Sequence, residues 1–169
     1  INYYESKGSA QCKSSVMLAA LNTAGETSIK AKKSRDHTEI LFRYLKIPIR
    51  LKKNKNFDII KIKGQKQFLG FNYHIPSDIS SSAFFIVLTL LSKNSKIILK
   101  HINLNPSRLG IIKILNKMGA GIKLKNVINY NGENCGDIHV KSVKNFKSIN
   151  CPSYLNSSAI DEFLIIFLV

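Results

Sequence analysis

Residues 9–14, with the sequence Ser-Ala-Gln-Cys-Lys-Ser, place small polar side chains directly before the apolar run of residues 16–21. A helix start leaves backbone N–H groups without partners inside the helix and carries a partial positive charge. Ser9 and Gln11 at such a start can complete a cradle for a phosphate or a carboxylate. The alternative is that Ser9 only caps a buried helix, because serine is among the commonest N-cap residues.

Two charged side chains stand where further helices are expected to begin. Arg35 lies in the stretch Ser-Arg-Asp-His, and its planar guanidinium can pair two phosphate oxygens at once. Asp161 precedes the apolar residues 163–169, so we expect one side of its carboxylate to be poorly solvated and its pKa to be raised toward the range of a base. The alternatives are a solvated surface charge for Arg35 and a helix-start carboxylate for Asp161, and the second of these is the commoner case.

Composition excludes several classes of protein. The 169 residues are 44% hydrophobic, which suits one domain or two small ones rather than a disordered chain. Neither a disulfide framework nor a zinc site is supported, and we expect no metal and no cofactor. That conclusion depends on three cysteines without Cys-x-x-Cys spacing and four scattered histidines: Cys12, Cys135 and Cys151, and His37, His74, His101 and His139.

Charge and hydropathy bear on partners and location. The net charge of +16 would suit nucleic acid, but the lysines alternate with Ile and Asn along nearly every element, so we expect no nucleic-acid partner. The longest apolar runs, residues 83–91 and 163–169, are shorter than the roughly 20 residues that span a bilayer. We therefore expect a soluble cytoplasmic protein without a membrane partner. The chain lacks an initiator Met and stops inside an apolar run, which indicates a fragment.

The pattern of apolar residues predicts the same order of elements twice. The helices predicted over residues 9–23 and 80–91 are apolar nearly all round in their runs 16–21 and 83–91, so we expect both to be buried on most sides. A helix capped by Asp36 or Ser34 should turn Ile40, Leu41 and Leu45 inward and Glu39, Arg43 and Lys46 outward. The remaining predictions are a helix over 106–118 and strands over 27–31, 49–52, 60–63, 96–100, 122–125 and 138–141.

The two halves superpose at a constant offset of 73 positions (108 minus 35). The pairs that share this offset are Arg35 and Arg108, Leu41 and Ile114, Phe42 and Leu115, Leu45 and Met118, Ile49 and Ile122, and Leu51 and Leu124. The repeating unit is therefore helix, strand, helix, strand, strand, and each unit needs neighbours to cover its apolar faces. This order predicts an α/β fold with mixed sheets, in which the two apolar helices lie inside and the sheets pack around them.

A set of short motifs resembles the enolpyruvyl transferase family over almost the whole chain. The motifs are residues 9–14, 25–27, 34–39, 75–81, 105–108, 118–120 and 160–162. The resemblance implies an inside-out α/β barrel in which each of two domains contains three repeats of the unit above. Residues 1–74 would then be the C-terminal part of one domain and residues 75–169 part of the second.

The same resemblance implies a reaction and a set of site residues, and the closest branch of the family acts on shikimate 3-phosphate. Its members transfer the carboxyvinyl group of phosphoenolpyruvate to the 5-hydroxyl of that substrate, in the shikimate pathway to chorismate and the aromatic amino acids. Shikimate 3-phosphate would contact Ser9, the backbone of Ala10, Gln11 and Arg35, and Gln11 would also reach phosphoenolpyruvate. Asp161 matches the proton acceptor. We expect the complete enzyme to be a monomer and its other basic site residues to lie outside this chain.

Neighbouring residues receive lesser roles, and two alternatives stay open. We expect a supporting role for Glu162, a structural role for Arg108, and capping of the second buried helix by Asp78 and Ser80. The chain departs from the family pattern at Ser77, at Leu164 and in residues 5–8. The enzymatic alternative is the sister transferase that acts on UDP-N-acetylglucosamine, and the other alternative is a basic nucleic-acid-binding module.

Overall fold

Residues 1–64 and 69–169 are described by a computed structural model, in which the chain divides into two units, Ile1–Tyr73 and His74–Val169. Each unit has a hydrophobic core of its own, in which helices pack against one face of a sheet. Both units mix helices and strands, as the periodicity predicts.

The first unit is built around a four-stranded mixed sheet. Its elements are β1 (Asn2–Glu5), α1 (Ala10–Leu21), β2 (Glu26–Lys32), α2 (His37–Tyr44), β3 (Ile49–Lys53) and β4 (Phe57–Lys63). The strand order is β1-β2-β4-β3, with β1 parallel to β2 and the other pairs antiparallel. Alternation along β2 and β4 turns Ile29, Ile60 and Ile62 toward the core, where they pack with Met17 and Phe42. Strand β1 was not predicted from the sequence.

The second unit repeats this plan. Its elements are α3 (Ile79–Leu91), β5 (Lys96–Asn103), α4 (Gly110–Lys117), β6 (Lys123–Tyr130), β7 (Glu133–Lys141), and two short helices, α5 (Asn156–Ala159) and α6 (Phe163–Ile166). The sheet order β5-β7-β6 is antiparallel, and a single parallel bridge joins Ser77 to Ile102. This bridge stands where β1 stands in the first unit. Strands β6 and β7 are longer than predicted and meet at a turn whose residues Asn131 and Gly132 both have positive φ, 53° and 88°.

The repeat is confirmed at the level of individual hydrogen bonds. Helices α2 and α4 begin and end 73 positions apart, at His37 and Gly110 and at Tyr44 and Lys117. The chain then turns in the same way: the N–H of Ile47 donates to the Phe42 oxygen at 2.9 Å, and the N–H of Ala120 donates to the Leu115 oxygen at 2.9 Å. The intervening residues are also equivalent, since Lys46 and Gly119 both have positive φ, 57° and 99°.

The predicted burial of α1 and α3 on most sides is wrong for this chain. Each helix buries one face, which in α3 includes Ala83, Ile86 and Leu90. Its other face leaves Phe84 63% exposed and Leu88 64% exposed, and Leu18 on α1 is 54% exposed. The physical reason is that each unit has one sheet, and one sheet covers only one side of a helix.

The helix predicted over 106–118 begins later, at Gly110. The side-chain Oδ1 of Asn105 accepts a hydrogen bond from the backbone N–H of Ser107 at 2.8 Å. The backbone oxygen of Asn105 accepts one from the backbone N–H of Arg108 at 2.8 Å, and together these bonds hold residues 105–108 in a turn. A Cβ at Gly110 would lie 2.5 Å from the backbone of Ser158, so only glycine lets α4 begin this close to α5.

Candidate functional site

The start of α1 carries three of the residues predicted to bind substrate. Ser9 is the N-cap, and its Oγ accepts a hydrogen bond from the backbone N–H of Cys12 at 3.2 Å. Ala10 is half-buried and Gln11 is exposed in the first turn. The capping role of Ser9 is therefore present, and Gln11 is accessible to a ligand at the positive end of the helix.

Arg35 is brought to this end of α1 by contacts through α2. The Nζ of Lys13, one turn after Ser9, donates to the backbone oxygen of Arg35 at 2.8 Å. A second tie joins the Ser14 Oγ to the Thr38 Oγ1 at 2.7 Å. The backbone of Arg35, 26 positions after Ser9 (35 minus 9) in the sequence, is thus held close to the first turns of α1 by Lys13.

A buried ion pair between α1 and α2, which the sequence patterns did not predict, lies next to the Arg35 backbone. The Nζ of Lys13 is 2.6 Å from the Oε1 of Glu39, and the two side chains are 2% and 3% exposed. The expectation that Glu39 faces outward is therefore wrong. Helical periodicity placed it on the polar face, but Lys13 supplies the opposite charge that allows both side chains to enter the core.

The approach to α1 contains a second buried acid. Glu5, at the end of β1, accepts hydrogen bonds from the backbone N–H groups of Lys7 at 2.8 Å and Gly8 at 2.7 Å. Burial acts to raise the pKa of Glu5, but the hydrogen bonds from the Ser9, Lys7 and Gly8 backbone outweigh it and lower the pKa below its usual value. Gly8 has φ +79°, which favours glycine. These contacts hold residues 5–8 in a turn that leads directly into the helix.

Asp161 lies in the second unit, in a cluster of charged side chains around Arg108. It occupies a 3₁₀ turn, Ile160–Glu162, and its Oδ2 is 3.8 Å from the Nη1 of Arg108. The Nη2 of the same guanidinium is 3.3 Å from the Asp78 Oδ1 and 3.8 Å from the Glu162 Oε1. Arg108 also donates to the Ser80 Oγ, and that hydroxyl donates to Glu162. One arginine thus joins three carboxylates and a hydroxyl.

Burial within this cluster differs from the prediction. The Asp161 side chain is 44% exposed, whereas that of Glu162 is 3% exposed. Burial raises the pKa of Glu162 and outweighs the opposing effects of the Ser80 hydrogen bond and the Arg108 cation. The poor solvation expected for Asp161 therefore falls on the next residue, because the 3₁₀ turn points Glu162 inward and Asp161 toward solvent.

Asp78 and Ser80 have separate roles at the start of α3. Asp78 is the N-cap, and its Oδ2 accepts the backbone N–H of Ser81 at 2.8 Å, as predicted. Ser80 does not act as the cap, since its hydroxyl lies between Arg108 and Glu162. The interpretation of Arg108 as structural agrees with these contacts.

A cleft of about 380 Å³ opens beside Asp161. Its polar lining residues include Ser80, Asp161 and Glu162, and its apolar lining residues include Phe84, Leu164 and Ile165. A partly exposed carboxylate that lines such a cleft can exchange a proton with a bound hydroxyl group.

Among the described residues, no three His, Cys, Asp or Glu side chains are grouped so that they could hold a metal ion. Over the same part of the chain, helices are too short or too polar to cross a membrane. The three cysteines are free thiols, with Cys135 buried and the other two exposed.

Comparison with known proteins gives a consistent result. The family model for EPSP synthase (3-phosphoshikimate 1-carboxyvinyltransferase) matches residues 1–167. A curated relative with the name 3-phosphoshikimate 1-carboxyvinyltransferase, from Hydrogenovibrio crunogenus, is 38% identical over 170 residues, and the match covers 99% of this chain and 38% of the relative. A relative of the same name from Vesicomyosocius okutanii is 42% identical over 169 residues, with coverage of 99% and 38%.

Solved structures support the same relationship. The EPSP synthase from Acinetobacter baumannii superposes with a TM-score of 0.86 and 37% identity, covering 99% of this chain and 38% of that protein. The mixed α/β architecture is therefore that of the enolpyruvyl transferase fold. The chain spans 38% of the length of these relatives.

Proposed function

Because this chain belongs to the EPSP synthase family, we propose that it supplies part of an enzyme that joins phosphoenolpyruvate to shikimate 3-phosphate. The carboxyvinyl group is transferred to the 5-hydroxyl and phosphate is released, a step in the biosynthesis of aromatic amino acids. The observation that carries the proposal is the family match over residues 1–167. The N-cap role of Ser9 and the hydrogen bond that holds the Arg35 backbone to Lys13 of α1 support it.

In this proposal the start of α1 binds the phosphate of shikimate 3-phosphate. The backbone of Ala10 contributes to the partial positive charge of the helix terminus, and Ser9 and Gln11 offer polar side chains there. Arg35 adds a full positive charge and two parallel donors, which match a pair of phosphate oxygens. Gln11, exposed on the first turn, also reaches phosphoenolpyruvate.

Asp161 accepts the proton of the attacking hydroxyl. As the 5-oxygen forms a bond to C2 of phosphoenolpyruvate, its proton passes to the Asp161 carboxylate, and a second group of the complete enzyme, acting as a general acid, donates a proton to C3, which gives a tetrahedral intermediate. The intermediate then loses a C3 proton and phosphate, so the double bond reforms. The 44% exposure of the Asp161 side chain and its place at a cleft support this role, since the carboxylate can meet a substrate directly.

The remaining parts of the proposal concern what lies around this chain. Residues 1–74 and 75–169 belong to two different domains of the enzyme, and further repeats of each domain cover the exposed faces of α1 and α3. The exposed side chains of Leu18 on α1 and of Phe84 and Leu88 on α3 support this, because large exposed apolar side chains mark a surface that another element covers. The enzyme acts as a cytoplasmic monomer.

The family match argues against the two alternatives, a transferase for UDP-N-acetylglucosamine and a nucleic-acid-binding module. The test is an assay of the full-length enzyme for phosphate release, with the product identified by the vinyl proton signals of the transferred group. We expect release only when phosphoenolpyruvate and shikimate 3-phosphate are both present. Release with UDP-N-acetylglucosamine in place of shikimate 3-phosphate would contradict the proposal.

A further inference from the structure

We propose that the buried Lys13–Glu39 ion pair is a positioning device for Arg35, which fixes the backbone of this arginine against the start of α1 and so sets the affinity for a phosphate monoester. The inference rests on the proposed role of Arg35 in binding shikimate 3-phosphate. It adds two residues that act through Arg35 and do not touch the substrate.

The contacts of Lys13 carry the first step. Its ammonium lies 2.6 Å from the Glu39 Oε1 and donates to the Arg35 backbone oxygen at 2.8 Å. One cation therefore ties together α1, the segment before α2, and the first turn of α2. The bond to Arg35 uses a backbone oxygen, so it holds the residue without engaging the guanidinium.

The second step is that a buried ion pair stabilises a core less efficiently than apolar residues do. Removing two charges from water is costly, and well-packed apolar residues of similar volume often give equal or greater stability. The second oxygen of Glu39, Oε2, is buried without a hydrogen-bond partner among the described residues, which adds to the cost. A function beyond stability explains why two charges occupy this core position.

The internal repeat supplies the third step, because it shows the same fold without the pair. Lys13 is the fourth residue after the N-cap Ser9, and the fourth residue after the N-cap Asp78 is Ser82. The position 73 residues after Glu39 is Ile112. Ser82 and Ile112 are both buried, and α4 keeps the bounds of α2 shifted by 73. Packing of the two helices on the sheet therefore does not require the ion pair.

Both arginines of the repeat are tied to neighbouring elements. Arg108, the counterpart of Arg35, is held through its guanidinium, which contacts Ser80 and the carboxylates of Asp78, Asp161 and Glu162. Arg35 is held through its backbone by Lys13. Fixing the backbone limits the positions that the guanidinium can reach, so less freedom is lost when a phosphate binds.

The test exchanges the pair for the residues of the sister unit. In the full-length enzyme, Lys13→Ser with Glu39→Ile leaves the net charge unchanged. Calorimetric titration with shikimate 3-phosphate should show an affinity about 5- to 20-fold weaker, less than the roughly 10- to 150-fold expected for complete loss of the arginine in Arg35→Ala. The KM for phosphoenolpyruvate should stay within about 3-fold. In Lys13→Met with Glu39→Leu, which keeps the side-chain volume, the melting temperature should not fall. If the ion pair had only a structural role, the exchange would weaken the binding of both substrates to a similar extent.

A double-mutant cycle decides whether the pair acts through Arg35. Combining the exchange with Arg35→Ala should weaken binding no more than Arg35→Ala alone, because the guanidinium that the ion pair positions is already absent. The matched control is the exposed pair Lys61–Glu26 of the same unit, 2.9 Å apart. Lys61→Ser with Glu26→Ile should leave the affinity unchanged.

Each remaining outcome has a distinct meaning. An exchange variant that binds within 2-fold of the parent, while Arg35→Ala is weakened, overturns the positioning role; so does an exchange whose effect persists in the Arg35→Ala background. If Arg35→Ala itself binds normally, the proposed role of Arg35 fails instead. Should the exchange variant fold poorly, Lys13→Met with Glu39→Leu retains side-chain length and repeats the test.

Discussion

Replacing Asp161 by asparagine in the full-length enzyme removes a proton acceptor while keeping the size of the side chain and most of its hydrogen bonds. If Asp161 takes the proton from the 5-hydroxyl, kcat should fall by about 10² to 10⁴. This fall corresponds to a rise in the activation free energy of about 2.7 to 5.4 kcal/mol. Affinity for shikimate 3-phosphate should stay near that of the parent, because the residues proposed to bind it are elsewhere.

The structure limits how much stability the same substitution can cost. The Asp161 Oδ2 and the Arg108 Nη1 are 3.8 Å apart, and the carboxylate is 44% exposed, so solvent screens the pair. Such pairs contribute about 0 to 1 kcal/mol. Arg108 keeps its contacts with Asp78 and Glu162, so its charge remains compensated. We therefore expect the melting temperature to change by at most about 2 to 4 °C.

A control with the same chemistry lies on the same arginine. Asp78→Asn also removes a carboxylate from Arg108, at 3.3 Å, and asparagine remains a good N-cap for α3. It should leave kcat within about 3-fold of the parent. The assay is phosphate release under saturating substrates, with melting temperature and substrate affinity measured on the same preparations. A folded Asp161→Asn enzyme within a few-fold of the parent kcat would refute the reasoning and direct attention to the adjacent Glu162.

Further predictions concern binding, completeness and pH. Arg35→Ala should weaken shikimate 3-phosphate binding by roughly 1.5 to 3 kcal/mol, the range for a hydrogen bond to a charged group, and an unchanged calorimetric affinity would make Arg35 a surface charge. The 169-residue chain by itself should have no measurable transferase activity, because it spans only 38% of the length of its relatives; turnover above a no-protein control would contradict this. The pKa of Glu5 is lowered on folding, so its contribution to stability is present above its unfolded pKa of about 4.5 and is lost as the pH falls through the lower folded value. Thermal unfolding between pH 6 and pH 3 should therefore show a difference between parent and Glu5→Gln that shrinks toward low pH, and a constant difference would show that the charge of Glu5 does not matter.

Local sequence patterns determined most of the elements of this protein. Alternating apolar and basic residues predicted β3 and β4, and the small polar residues Ser9 and Asp78 predicted where α1 and α3 begin. The offset of 73 positions predicted the repeat, and the equal bounds of α2 and α4 confirm it. These features are readable because periodicity, capping and turn chemistry act over a few residues.

Other features depended on partners distant in the sequence. Strand β1 has only four residues, so its sequence contains no alternation of apolar and polar residues long enough to predict a strand. The strand is formed by parallel pairing with β2, more than 20 residues later in the chain. The outward prediction for Glu39 failed because its partner Lys13 is 26 positions away (39 minus 13), and a charge enters the core only when tertiary structure brings the opposite charge to it.

The candidate site shows the same division. The motif at residues 160–162 predicted Asp161 as the proton acceptor. The conformation of the 3₁₀ turn, however, makes Glu162 the buried residue of the two adjacent carboxylates and leaves Asp161 partly exposed. The sequence predicts a structural role for Arg108, but only the folded unit shows it joined to Ser80 and three carboxylates. Sequence determines which chemical groups are available and where helices and strands begin. Burial, and with it the pKa and the strength of each charge interaction, is a property of the assembled neighbours, and so it was decided by the tertiary structure alone.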